Sequence, residues 1–209
     1  MDYAEKQLVE INQPQLMSEA RVDLSKNLGM IIGAMFVYFF IIGVAGIIPF
    51  GSLLIGGPMT LGLSIFVLNI SRDNNPDFSN IFDGFKNFGT AFVTYLLMML
   101  GIIVGFILLI VPGILLTFGW SQAYYIISDE PDISAVEALK KSWEMMDGNK
   151  MDLFVLMLRF IPWILLCILT LGLGLLYVAP WAYVTFAKYH DQISGKVSSE
   201  MDIMDHLVE

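Results

Sequence analysis

Charge is what this sequence has least of. Asp, Glu, Lys and Arg make up 15% of its 209 residues and hydrophobic residues 56%, whereas soluble domains carry about 25% and about 45–50%. Disorder is excluded, because it requires low hydrophobicity and high charge. A water-soluble globule is disfavoured, because so few polar residues cannot cover so much apolar material. The single cysteine, Cys167, excludes a disulfide framework and a thiolate zinc cluster. Lys and Arg number 11 against 20 acidic residues, for a net charge of −9, and they are scattered, which argues against a nucleic-acid surface. Zinc-protease, serine-hydrolase and phosphate-loop motifs are absent. Only two histidines occur, His190 and His206.

What is there follows the gaps in charge. No charged residue lies between Lys26 and Arg72 or between Lys86 and Asp129, and only Arg159 interrupts the stretch from Asp152 to Lys188. A crossing takes about 20 apolar residues, so each stretch accommodates two helices. Turn signals fall near the middle of each: Pro49-Phe50-Gly51 through Gly56-Gly57-Pro58, Val111-Pro112-Gly113, and Leu171-Gly172-Leu173-Gly174. The expected fold is all-α and polytopic, with three helical hairpins and crossings near 28–49, 53–71, 90–111, 114–128, 152–170 and 173–189. The short alternating segments of a transmembrane barrel are missing. A cytoplasmic segment 1–27 precedes the membrane domain 28–190, and an acidic tail 191–209 follows it. Lys6, Arg21, Lys26, Arg72, Lys86, Lys140, Lys141, Lys150, Lys188 and Lys196 all lie outside the hairpin turns. The positive-inside rule therefore places both termini and both long loops in the cytoplasm. Residues 1–26 lack the apolar core of a cleaved signal peptide.

The two long loops repeat one another. Pro76-Asp77-Phe78-Ser79-Asn80-Ile81 aligns with Pro131-Asp132-Ile133-Ser134-Ala135-Val136, and Lys86 falls on Lys141. Each predicts a short amphipathic interfacial helix, with stripes Ile81, Phe82, Phe85, Phe88 and Val136, Leu139, Trp143, Met146. Ser134 and Glu137 fit a capping box. Leu16, Ala20, Leu24 and Leu28 after Pro14 give the first hairpin a related leader. Such helices either pack connections against the bundle or form a cytoplasmic collar.

Few residues could carry chemistry. Arg159 either snorkels to the headgroups or grips an anionic lipid or solute, and Pro162 could open space beside it. Gln122 and Trp120 stand in a polar cluster with Thr117, Ser121, Tyr124 and Tyr125; interhelical hydrogen bonding is its expected role, a polar pathway the alternative. Gly29 and Gly33, and Gly101 and Gly105, have the spacing of close helix contacts. His190 is expected at the cytoplasmic end of the last helix. His206 with Asp202 and Asp205 is too sparse for a metal site, and no cofactor is expected.

Glu137-Ala138-Leu139-Lys140-Lys141-Ser142-Trp143-Glu144-Met145-Met146-Asp147-Gly148-Asn149-Lys150 resembles the signature of an uncharacterised bacterial multi-pass membrane family, the domain-of-unknown-function family numbered 975. Phe154, Leu156, Trp163, Thr170-Leu171-Gly172-Leu173-Gly174, Pro180-Trp181, Val111-Pro112-Gly113 and Phe85-Lys86-Asn87-Phe88-Gly89 extend the resemblance over about 28–190. It implies a six-crossing inner-membrane protein with no established activity, and Ser and Gly in place of Arg159 and Pro162. The expected role is a non-enzymatic scaffold or accessory protein, with a transporter or channel for a small solute or lipid as the alternative. The expected partner is the lipid bilayer, with an anionic lipid or another membrane protein as candidates beside it.

Overall fold

In the computed structural model, residues 11–195 are described. The first element is α1, Gln13–Lys26. Asn12 caps it by accepting from the Gln15 N–H, and Pro14 fits its first turn. Its expected stripe is buried at Leu16, Ala20 and Leu24. There follow α2 (Leu28–Ile47), α3 (Gly51–Ser71), a 3-10 helix (Phe78–Phe85), α4 (Phe88–Leu108), α5 (Ile110–Gly119), α6 (Ala123–Asp129), α7 (Ala135–Met145), α8 (Lys150–Leu169) and α9 (Leu175–Ile193).

Five stretches are long and apolar enough to cross a membrane: α2, α3, α4, α5 with α6, and α8. Only 17% of the α4 stretch is buried within the protein, against 67% of α3. Phe36, Phe40, Leu100, Ile107, Leu158 and Leu165 stand exposed on the outer helices, and a lipid-facing girdle is the physical home for such surface. The sixth expected crossing, 173–189, corresponds to α9 and differs in kind. Tyr, Trp, Thr, Lys and His replace its apolar residues, and Trp181, Val184, Thr185, Tyr189 and His190 are buried. The main core gathers around α3 and α9, with Phe66, Ile31, Leu24 and Trp181 enclosed.

The turns correct the sequence reading in two places. Phe50, at φ 64°, closes the first hairpin, and Gly56, Gly57 and Pro58 lie inside α3. Those glycines serve contact rather than turning: a Cβ on Gly57 would stand 2.3 Å from the Ala91 carbonyl oxygen of α4. In the second hairpin the break is a single extended residue, Leu109, and Val111-Pro112-Gly113 already belongs to α5. A further break at Trp120–Gln122 divides the fourth crossing into α5 and α6. The third turn lies where expected, with Leu171 at φ 53° and Gly172 at φ 88°.

The loop repeats differ from each other. The first is a 3-10 helix, whose three-residue turn eclipses i with i+3. Ile81 and Gly84 are buried together, while Phe82 and Phe85 face outward. The expected Ile81–Phe88 stripe therefore splits across two faces. In α7 the buried face is Ala135, Ala138, Leu139 and Ser142, and Val136 is exposed. The capping box forms: Ser134 Oγ accepts from the Glu137 N–H at 3.3 Å, and Glu137 accepts from the Ser134 N–H at 3.2 Å. The Ser134 hydroxyl, which donates to the Glu137 carboxylate at 2.7 Å, and then the Ser134 N–H hold that carboxyl below its ordinary range. Ser134→Ala is expected to lower the thermal midpoint by about 2–4 °C and Ser134→Asp to keep it, read by melting in mild detergent.

Candidate functional site

Three helices, α3, α6 and α9, end in polar residues, and the fold brings the three ends together. Arg72 caps α3, Asp129 ends α6, and His190-Asp191 lies near the end of α9. The Arg72 fork donates from Nη1 and Nη2 to the two Asp129 oxygens at 2.7 and 3.2 Å. Its Nε donates to Asp191 Oδ1 at 3.0 Å, and Ser71 Oγ donates to Oδ2 at 3.2 Å. Burial would weaken the basicity of Arg72, but its bonds to Asp129 and Asp191 outweigh that and raise it above the ordinary value.

His190 extends the network inward. Its Nε2 lies 3.1 Å from Asp129 Oδ2 and its Nδ1 3.2 Å from Gln122 Oε1. The ring is 1% exposed and stacks on Tyr125 at 5.2 Å. An imidazolium donates to both oxygens; a neutral ring satisfies both nitrogens only if the Gln122 amide presents its NH2 to one of them. Gln122 Nε2 donates to Ser121 Oγ, and Ser142 of α7 accepts from the Gln122 N–H and donates to the Gly119 carbonyl. Beside the knot, Lys188 Nζ pairs with Asp23 of α1 at 2.7 Å. The ends of α3, α6 and α9 are thus joined at one end of the bundle, with α1 attached through Asp23 and α7 through Ser142.

A second polar feature lies where α1 crosses α8 and α9. Arg159 Nε donates to Gln13 Oε1 at 2.7 Å, and Gln13 Nε2 donates to the Asp152 carbonyl at 3.0 Å. The Arg21 guanidinium lies 4.0 Å from the Trp181 ring centre and 4.7 Å from that of Trp163. Trp181 is itself fixed by donating Nε1–H to the Met17 carbonyl. Arg21 and Arg159 line one groove of about 440 Å³ with Pro162, and Arg159 also borders a neighbouring groove of about 620 Å³. Pro162 lies within an unbroken α8.

The sequence-derived residues do not form one site. Arg159 borders the grooves, Gln122 belongs to the knot, and Trp120 lines an apolar groove among α4, α5 and α7. A Cβ on Gly101 would stand 2.4 Å from the Trp120 ring, and one on Gly105 would stand 3.0 Å from Gly113 Cα. Gly33 meets Phe78 only at van der Waals distance. Nothing lies within 4 Å of the corresponding point on Gly29, so no close helix approach occurs there. Sequence reasoning missed Arg72, Asp129 and Asp191 as a unit, and Arg21 as a partner of the tryptophans. The available signal was positional: Arg72 and Asp129 bound uncharged stretches, and His190-Asp191 follows Lys188, which bounds the third. His206, Asp202 and Asp205 lie outside the described residues, and among the described residues no group of three or more His, Cys, Asp or Glu is placed to hold a metal ion.

Residues 98–197, just under half of the chain, match the model of the family described as Protein of unknown function (DUF975). They run from the middle of α4 through the end of α9, and hence cover Gln122, Asp129, Arg159, His190 and Asp191, while Arg21 and Arg72 lie before the match. No curated protein and no solved structure matches the chain.

Proposed function

We propose that this multi-pass protein is a non-enzymatic scaffold or accessory protein of the bacterial inner membrane, crossing it six times with both termini and both long loops cytoplasmic. The Arg72–Asp129–Asp191–His190 knot carries the reading. A transporter that alternates access must part its hairpins at one end of the bundle and then the other. Parting them here would strand two carboxylates and an arginine whose partners all come from other hairpins. The polar groups are spent on one another, which suits a fixed platform. Helix α9 supports the sixth crossing: its 19 residues span about 28 Å, close to the thickness of the hydrocarbon core. A helix enclosed by others has no need of an apolar outer surface.

Two readouts test this in a Cys167→Ser background. Pro49→Cys and Leu173→Cys are expected to label from outside the cell, and Asn74→Cys, Asp132→Cys and Ser194→Cys only after permeabilisation. Spin labels on the pairs 74/194 and 74/132 in liposomes are expected to give one narrow distance each. Two interconverting distances would favour transport, and labelling of residue 194 from outside would remove the sixth crossing.

A further inference from the structure

We infer that the groove between α1 and α8 seats the phosphodiester of an anionic phospholipid, gripped by Arg21 and Arg159. The inference rests on the membrane reading above and is independent of what the protein scaffolds.

The chain has three arginines and 20 acidic residues. Arg72 is fully engaged by two aspartates, yet among the described residues neither Arg21 nor Arg159 forms an ion pair with a carboxylate. In so acidic a chain, two adjacent arginines without acid partners among the described residues mark a place where the anion comes from outside. Both are also pre-positioned. Arg159 is held through Nε by Gln13, which is 7% exposed and fixed in turn to the α8 backbone. Its two terminal nitrogens remain for a bidentate anion. Arg21 is held through its face by Trp163 and Trp181, an arrangement that leaves the in-plane N–H donors open; its buried Nε has no partner.

The surroundings select a lipid over a soluble anion. Arg159 is nine residues into α8, about 14 Å along the helix, on a stretch apolar enough to cross a membrane. Val155, Leu158, Ile161 and Leu165 are exposed beside it and offer a track for acyl chains. Asp152 lines the neighbouring groove, so two arginines and one carboxylate leave one net positive charge. A headgroup with one net negative charge neutralises it, and a zwitterionic headgroup does not.

The test is native mass spectrometry in neutral detergent with equal phosphatidylglycerol and phosphatidylethanolamine. Wild type is expected to retain phosphatidylglycerol preferentially. Arg21→Gln and Arg159→Lys are each expected to weaken that retention on the order of tenfold, because lysine lacks the planar fork. Asp152→Asn should retain at least as much, and Lys140→Gln, an exposed charge far from the groove, should match wild type. Melting curves accompany each variant; if Arg21→Gln melts early, Arg159→Lys, which keeps charge and stem, decides alone. Equal retention in wild type and Arg159→Lys overturns the assignment, as does an equal loss in Lys140→Gln. Displacement of the lipid by millimolar inorganic phosphate would make the site one for a soluble phosphate and overturn the lipid. None of these outcomes changes the spin-label distances, so the two readings fail separately.

Discussion

Arg72→Met is expected to destabilise the protein more than the loss of any other basic side chain. The substitution leaves Asp129 and Asp191, which are 11% and 9% exposed, without the cation between them. Removing one member of a buried pair costs about 3–5 kcal/mol; discounted for an Arg72 side chain that is 29% exposed, about 2–3 kcal/mol is expected. The informative comparison is Arg72→Met with Asp129→Asn and Asp191→Asn together. With both carboxylates neutral the stranded charge disappears, and the triple variant should melt above the single one in the same detergent. A single variant that melts like wild type would show that the knot contributes nothing to holding the hairpins.

Gly62→Ala is expected to be nearly as damaging, for reasons of space. A Cβ on Gly62 would stand 1.7 Å from the Ile81 carbonyl oxygen, and one on Gly84 would stand 2.0 Å from the Pro58 carbonyl oxygen. The 3-10 helix thus lies with its backbone directly on α3, and neither side of the contact is a flexible side-chain end. Overpacking of this kind costs about 1–3 kcal/mol or more. Gly29→Ala provides the control, because nothing stands within 4 Å of the added methyl and alanine favours a helix by about 1 kcal/mol. Thermal midpoints should therefore move in opposite directions. A fall in both would mean that the α3 contact is not the cause.

The helices and caps were legible in the sequence because their causes are local. Long uncharged apolar stretches, Pro14 after Asn12, and Ser134 three residues before Glu137 carry signals that need no distant partner. Gly56-Gly57-Pro58 misled because glycine marks a turn and a close helix contact with the same residue, and only the position of α4 separates the two. The loop stripe misled because Ile81, Phe82, Phe85 and Phe88 fit a 3.6-residue period as well as a three-residue one until the backbone commits. The knot was hidden for another reason. Arg72, Asp129 and Asp191 are separated by 57 and 119 positions from Arg72, and no local rule joins them. Sequence also presented Arg159 as an isolated charge, since Gln13 and Arg21 reach it only through the docking of α1.

That docking sets the order in which the protein can be finished. Trp181 donates to the Met17 carbonyl across 164 positions, and Leu16, Ala20 and Leu24 share a core with Val184, Ala187 and Tyr189. During synthesis α1 leaves the ribosome first and its seat on α9 leaves last. At about 5–20 residues per second, the intervening chain takes roughly 8–33 seconds to make. Through that interval the apolar stripe of α1 has no final partner, and the bilayer surface is the nearest place to shelter it. Completion of α9 is therefore also the event that draws the first helix home.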